Sequence, residues 1–228
     1  DPLLRNRLRR PKCFDDGHKE YFGSVEWMRA TSVSLRVAIS TTICATMLGT
    51  ATAYGLFVTK FPGKTALYGV FILPMAVPII LIAIGTLFVF AKLKLVNTMF
   101  GLVAAHTMLA IPFVVIIVTA GLKSYDLNQE MVARSLGATR LRAFLTVTLP
   151  QLRFSVITGA LLAFLTSFDE VIVAMFITGG KGSTLTRKMF SALRDQIDPT
   201  IAAISTCLIL ISIVLILIGQ NFGARTGD

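Results

Sequence analysis

Asp169 and Glu170 stand side by side in "LLAFLTSFDEVIVAMFITGG", near the middle of an otherwise apolar stretch. Ionisable groups at such a depth cost roughly 2.5 kcal/mol or more each on insertion scales unless a partner or a polar cavity receives them. Two chemistries fit: carboxylates bonded to neighbouring helices or backbone at a subunit contact, or a carboxylate lining a path that favours a cationic solute. Adjacent residues of a helix point about 100° apart, so the two acids are not expected to share one contact. His106 lies near the start of another apolar run, where an interhelical hydrogen bond is the first expectation and a substrate contact the second. Pro74 and Pro78 in "LPMAVP" should kink their helix, either for packing or at a pore. No catalytic constellation accompanies these groups. A GxxxxGK[ST] nucleotide loop does not occur, and "GGKGST" lacks its spacing. Cys13, Cys44 and Cys207 show neither metal-ligand nor disulfide spacing. The chain is expected to be neither an enzyme nor a metal protein.

The elements that carry these residues are set by composition. Of the 228 residues 54% are hydrophobic and only 15% charged, and the mean hydropathy is +0.75. So few charges cannot cover a soluble domain of this length, which makes the bilayer the expected solvent. The alternating segments of a transmembrane β-barrel are missing, leaving an all-α polytopic helical bundle. Five runs reach the roughly 20 residues that a span needs: Ser32–Val58, Thr65–Phe90, Phe100–Leu122, Leu152–Thr178 and Thr200–Gly219. The first carries Ala45, Gly49 and Ala53 at four-residue spacing, a small-residue stripe suited to close helix approach. Residues 1–30 form a charged and aromatic segment without a spanning run, residues 31–220 the membrane domain, and 221–228 a short tail. The net charge of +10 falls mainly between apolar runs, so lipid headgroups are the expected counterpart rather than nucleic acid. The distribution of Lys and Arg between alternate loops does not fix the orientation.

One segment belongs to no span. "DLNQEMVARSLGATRLRAFLTVTLP", within residues 124–151, starts with a helix cap, Asp126 or Asn128, and an acidic first turn at Glu130. Met131, Val132, Ala133 and Leu136 follow at helical spacing beside Arg134 and Ser135, Gly137 supplies a stop, and Leu141, Phe144, Leu145 and Val147 form a second apolar face before Leu149 and Pro150. Such a helix-turn-helix outside the hydrocarbon either rests on lipid or docks on a soluble partner.

Gly137, nine residues, then "VTLP" resembles the signature loop of ABC importer permeases, E-A-A-x3-G-x9-I-x-L-P, and "ARSLGAT" is typical of it. The likeness extends through "LPMAVP" and "AHTMLAIPFVV" over nearly all of Ser32–Gln220. It implies a type I ABC importer permease in the bacterial inner membrane, with 124–151 as the cytoplasmic coupling segment and residues 1–30 outside. It further implies a homologous permease subunit, a cytoplasmic ATPase dimer that uses the ATP, and an external solute-binding protein, with no cofactor on this chain. Such permeases usually have six spans, so a further N-terminal one is expected to be missing. Met131 stands at the pattern's glutamate, and Glu130 is one position early. Either a slight rotation lets Glu130 take that part, or the contact is mainly apolar and Glu130→Ala is nearly silent. The "FDE" segment, the "GG…TL" loop and "DPTIAAIST" resemble the polyamine subgroup, whose relatives also carry opines, aminophosphonates, iron or thiamine. A proton-coupled secondary transporter using Asp169, Glu170 and His106 is the rival reading.

Overall fold

The computed structural model describes residues 21, 23–195, 205, 206 and 213, with backbone alone for Lys181 and Asp195. Apart from residues 205, 206 and 213, the last expected span lies outside the described residues, as do most of segment 1–30 and the tail 221–228. Every described element is helical. In chain order they are α1 (Val25–Val58), α2 (Lys64–Ala76), α3 (Ile79–Lys92), α4 (Met99–Lys123), α5 (Asn128–Ser135) and α6 (Arg140–Ala143). A wider π-helical turn (Phe144–Thr148) follows, then α7 (Leu149–Gln151), α8 (Arg153–Asp169), α9 (Ile172–Ile177) and α10 (Leu185–Asp195).

Helices α1, α4 and α8 pack mutually and form the core. The stripe Thr41, Ala45, Gly49 and Ala53 of α1 is buried, whereas Leu35, Ile39, Ile43 and Met47, at the same four-residue spacing, are exposed. Large side chains outside and small ones inside reverse the order of a soluble protein, and water would not tolerate it. Lipid does. The small residues are needed for contact: a β-carbon on Gly49 would lie 2.7 Å from the Val114 side chain, and one on Gly159 of α8 would lie 3.3 Å from the Val114 Cα. Val114 thus sits between two glycines, and α4 is held on both sides.

By length and composition, α1 and α4 can each cross a membrane, and the bent pairs α2–α3 and 140–169 add up to two more spans. The run Thr65–Phe90, expected as one kinked span, is in fact two helices that meet at 104°. Helix α2 tolerates Pro74 inside it and ends two residues later, because Val77 precedes Pro78 and takes an extended conformation (φ −86°, ψ 133°). A residue before proline is sterically pushed out of the α region, so the chain breaks there instead of kinking. The run Leu152–Thr178 is also divided, into α8 and α9, at Glu170 and Val171. Helix α1 begins at Val25, upstream of the expected Ser32.

Candidate functional site

The segment after α4 leaves the bundle at Lys123. The Asp126 carboxylate accepts the Asn128 N–H at 2.9 Å and so opens α5, which leaves Asn128 the first helical residue. At the other end Gly137 adopts φ +93°. Its N–H bonds the Arg134 carbonyl at 3.0 Å, and the Ala138 N–H reaches the Ala133 carbonyl at 3.1 Å. These two bonds form a Schellman stop, which satisfies carbonyls that the ending helix would leave bare and needs a left-handed residue. Thr139 then caps α6 by accepting from the Arg142 N–H. The π-turn Phe144–Thr148 ends just before Pro150, which can donate no hydrogen bond. Through this geometry residues 140–151 lie at 79° to α8.

The segment has two sides of opposite character. Outward, Met131 is 53% exposed, Val132 60%, Leu136 84%, Leu141 68% and Leu145 49%. Arg134, Ser135, Gly137 and Pro150 are exposed as well, and Ala133 and Leu149 are half-buried. Inward, Glu130 is only 4% exposed and Thr148 is fully buried. One Glu130 oxygen accepts the Tyr54 hydroxyl of α1 at 2.6 Å, and the other accepts the Thr148 hydroxyl at 2.7 Å. Tyr125 stands 3.3 Å from the same threonine oxygen, and the Tyr54 ring packs on Phe144 with centroids 4.3 Å apart. Gln151 also donates to Gln129 across the segment. Glu130 therefore faces its own chain, while Met131, at the position of the pattern's glutamate, faces out. A nearly silent Glu130→Ala does not fit a carboxylate that holds two donors in a buried place.

Tyr54, Tyr125 and Thr148 escaped the sequence reading. Tyr54 did leave a signal: a tyrosine near the end of an apolar run needs a partner for its hydroxyl once buried. Its partner is 76 residues away, and no local pattern names it.

At the opposite end the two acids part company. Glu170 is buried, and its carboxylate accepts the Val173 N–H at 2.7 Å, which caps α9. Its backbone carbonyl accepts the Thr186 hydroxyl at 3.2 Å. Asp169 is exposed. His106 is buried in α4 with Nδ1 at 3.1 Å from the Ser167 carbonyl and 3.0 Å from its hydroxyl, a link between α4 and α8. Pro74 borders an apolar groove of about 530 Å³ together with Leu73, Thr86, Ala105 and Met108, and neither His106 nor the acids line it. Pro78 lies just ahead of α3 as its N-cap. The residues 179–187 are tied down on this side. The Leu185 N–H donates to the Ser34 hydroxyl at 2.8 Å, Arg187 donates to the Thr178 hydroxyl at 2.9 Å, and the Asn97 N–H donates to the Ile177 carbonyl at 2.9 Å.

A helical bundle whose first helix buries small residues and exposes large apolar ones, with an amphipathic segment set across its end, has the features of a polytopic membrane protein. The family described as "binding-protein-dependent transport system inner membrane component" matches residues 45–226, and the chain belongs to it. The spermidine/putrescine transport system permease protein PotC of Escherichia coli is 31% identical over 206 residues, 88% of this chain and 78% of the relative. The putrescine transport system permease protein PotI of the same species is 29% identical over 189 residues, 80% and 67% of the two chains. Among solved structures, a chain of a bacterial ABC transporter involved in the import of the acidic polysaccharide alginate superposes with a TM-score of 0.74. It is 14% identical over 93% of this chain and 79% of the other. The fold is that of the type I ABC importer permeases, and the protein is a multi-pass component of the inner membrane.

Proposed function

We propose that this chain is the permease subunit through which an ATP-driven importer passes polyamines or a related amine-bearing cation. The segment 124–151 docks on the cytoplasmic side against an ATPase dimer, which binds and spends the ATP; this chain carries no cofactor. An external solute-binding protein delivers the solute, a homologous permease completes the pathway, and lipid covers the remaining apolar surface. Nucleic acid has no part in this reading. The observation that carries the docking claim is the unpartnered apolar face Met131, Val132, Leu136 and Leu141 on a segment whose polar side is already satisfied inside. An exposed cluster of large apolar side chains beside polar residues marks a protein contact. Arg134 and Ser135 border the face, Gly137 sets its turn, and Leu149 and Pro150 fix where it rejoins the bundle.

The solute class rests on what PotC and PotI are named for and on Asp169 as the exposed acid of the pair. An exposed carboxylate in an apolar span suits a cation, while Glu170 is occupied as a helix cap. The same architecture could carry an opine, an aminophosphonate, iron or thiamine, since binding proteins set primary selectivity. The docking claim is tested by replacing Val132 and Leu136 together with Asp in the co-expressed transporter. The ATPase recovered with the permease should fall at least about tenfold while membrane insertion persists. ATPase recovery equal to that of the unmodified chain would refute it.

A further inference from the structure

Helix α1 is the longest described helix. Its 34 residues span about 51 Å at 1.5 Å per residue. Near its C-terminal end Tyr54 donates to Glu130 at 2.6 Å. Twenty positions earlier, about 30 Å away along a helix, Ser34 accepts the Leu185 N–H at 2.8 Å. In between, α1 is unbroken and packed along its small-residue stripe, with no break at which it would hinge.

The docking segment has no covalent link to α1. The peptide chain joins it to α4 through 124–127 and to α8 through 152. Its side-chain ties to α1 gather on Tyr54, which bonds Glu130, packs on Phe144 and also meets Arg140. Glu130 uses its second oxygen on Thr148, the last residue of the π-turn within the same segment. One buried carboxylate therefore fastens α5 at once to α1 and to the π-turn. Such charge-assisted bonds are among the stronger ones, and burial strengthens them further.

We infer that Tyr54, Glu130 and Thr148 form a latch that passes displacement of the docking segment to α1, and through α1 to the loop held by Ser34 at the other membrane face. The three are positioning residues. They touch neither solute nor ATPase, and they act by making the segment and α1 one body. Ring packing of Tyr54 on Phe144 keeps the segment nearby without the hydroxyl, but an apolar contact slides where a two-oxygen bond does not. Linkage is reciprocal, so an event at the Ser34–Leu185 loop would be felt at the docking segment with the same free energy. This inference rests on the docking reading above.

The test uses the assembled transporter in lipid nanodiscs, with the three cysteines replaced and Ser183→Cys as a reporter beside Leu185. The maleimide labelling rate at position 183 is measured with and without ATP and vanadate. In the otherwise unmodified transporter, trapping should change the rate by about threefold or more. Tyr54→Phe, which keeps the ring, should abolish the change while vanadate-trapped nucleotide and ATPase recovery remain normal. Thr148→Ser should retain the change and Thr148→Val lose it, and this pair decides if Tyr54→Phe does not assemble. The latch is overturned if the rate is unresponsive in the unmodified transporter, or if the response survives Tyr54→Phe. It is also overturned if trapping and response decline together in the Thr148→Val variant, which would mark a mere anchor. Failure of the ATPase to associate with the unmodified permease would instead sink the docking reading.

Discussion

Glu170, at the far end of α8, and Glu130, in the docking segment, are both buried and both accept short hydrogen bonds, but their partners differ in kind. Glu170 bonds a backbone N–H three residues along its own chain and serves the start of one six-residue helix. Glu130 bonds side chains 76 and 18 residues away and joins three elements. Each has an exposed neighbour, Asp169 in one case and Met131 in the other. At both ends one acid is turned inward and the residue beside it is exposed. The contrast separates local repair of a broken span from a connection between elements. A cap can be lost with little effect elsewhere, while a connection cannot.

The largest effect that would sharpen this contrast is expected from Glu130→Ala. It removes two hydrogen bonds to a buried carboxylate, a cost of about 3 kcal/mol. The docking segment should become sensitive to limited proteolysis around 128–145, and uptake should fall at least about tenfold; protection equal to that of the unmodified chain would break the comparison. Next comes Gly137→Val. The φ of +93° has no steric conflict around it, since a β-carbon there meets nothing within 4 Å, so the penalty is backbone strain alone, about 1–2 kcal/mol. ATP hydrolysis should continue while uptake per ATP drops, and unchanged uptake would count against a shaped turn.

Glu170→Ala should be milder. Loss of a helix cap costs about 1 kcal/mol, which should appear as a small drop in the thermal unfolding midpoint with ATPase recovery untouched. A collapse of assembly would show that the far end is a connection too. Asp169→Asn is the smallest in stability, within about 0.5 kcal/mol as befits an exposed site. Its signature should be slower uptake of a labelled diamine without loss of ATPase assembly, and equal losses of the two would make Asp169 structural.

Much of the fold was legible because it rests on one-dimensional signals. Long apolar runs announced α1 and α4, the spacing of Ala45, Gly49 and Ala53 announced the packed face, and the Asp126 cap, the Gly137 stop and Pro150 marked out the segment 124–151. Other features were not legible, two of them in particular. Pro74 and Pro78 read as one kinked span, yet the steric demand of Pro78 on Val77 splits the run at 104°, and how far a chain turns at such a break depends on what it packs against. The Tyr54–Glu130 bond was hidden for another reason. The family pattern places Glu130 relative to a partner, whereas its direction is set by α1, α5 and the π-turn Phe144–Thr148 meeting in space.

The docking face is tested most directly by placing a photo-crosslinking phenylalanine derivative at Leu136, and separately at Ile43 of α1, in the transporter co-expressed with its ATPase. Both positions are exposed and apolar, but only the first belongs to the docking segment. Irradiation should join the ATPase to the permease from position 136 and not from position 43. An adduct with lipid alone from position 136, with the ATPase present and bound, would contradict the account.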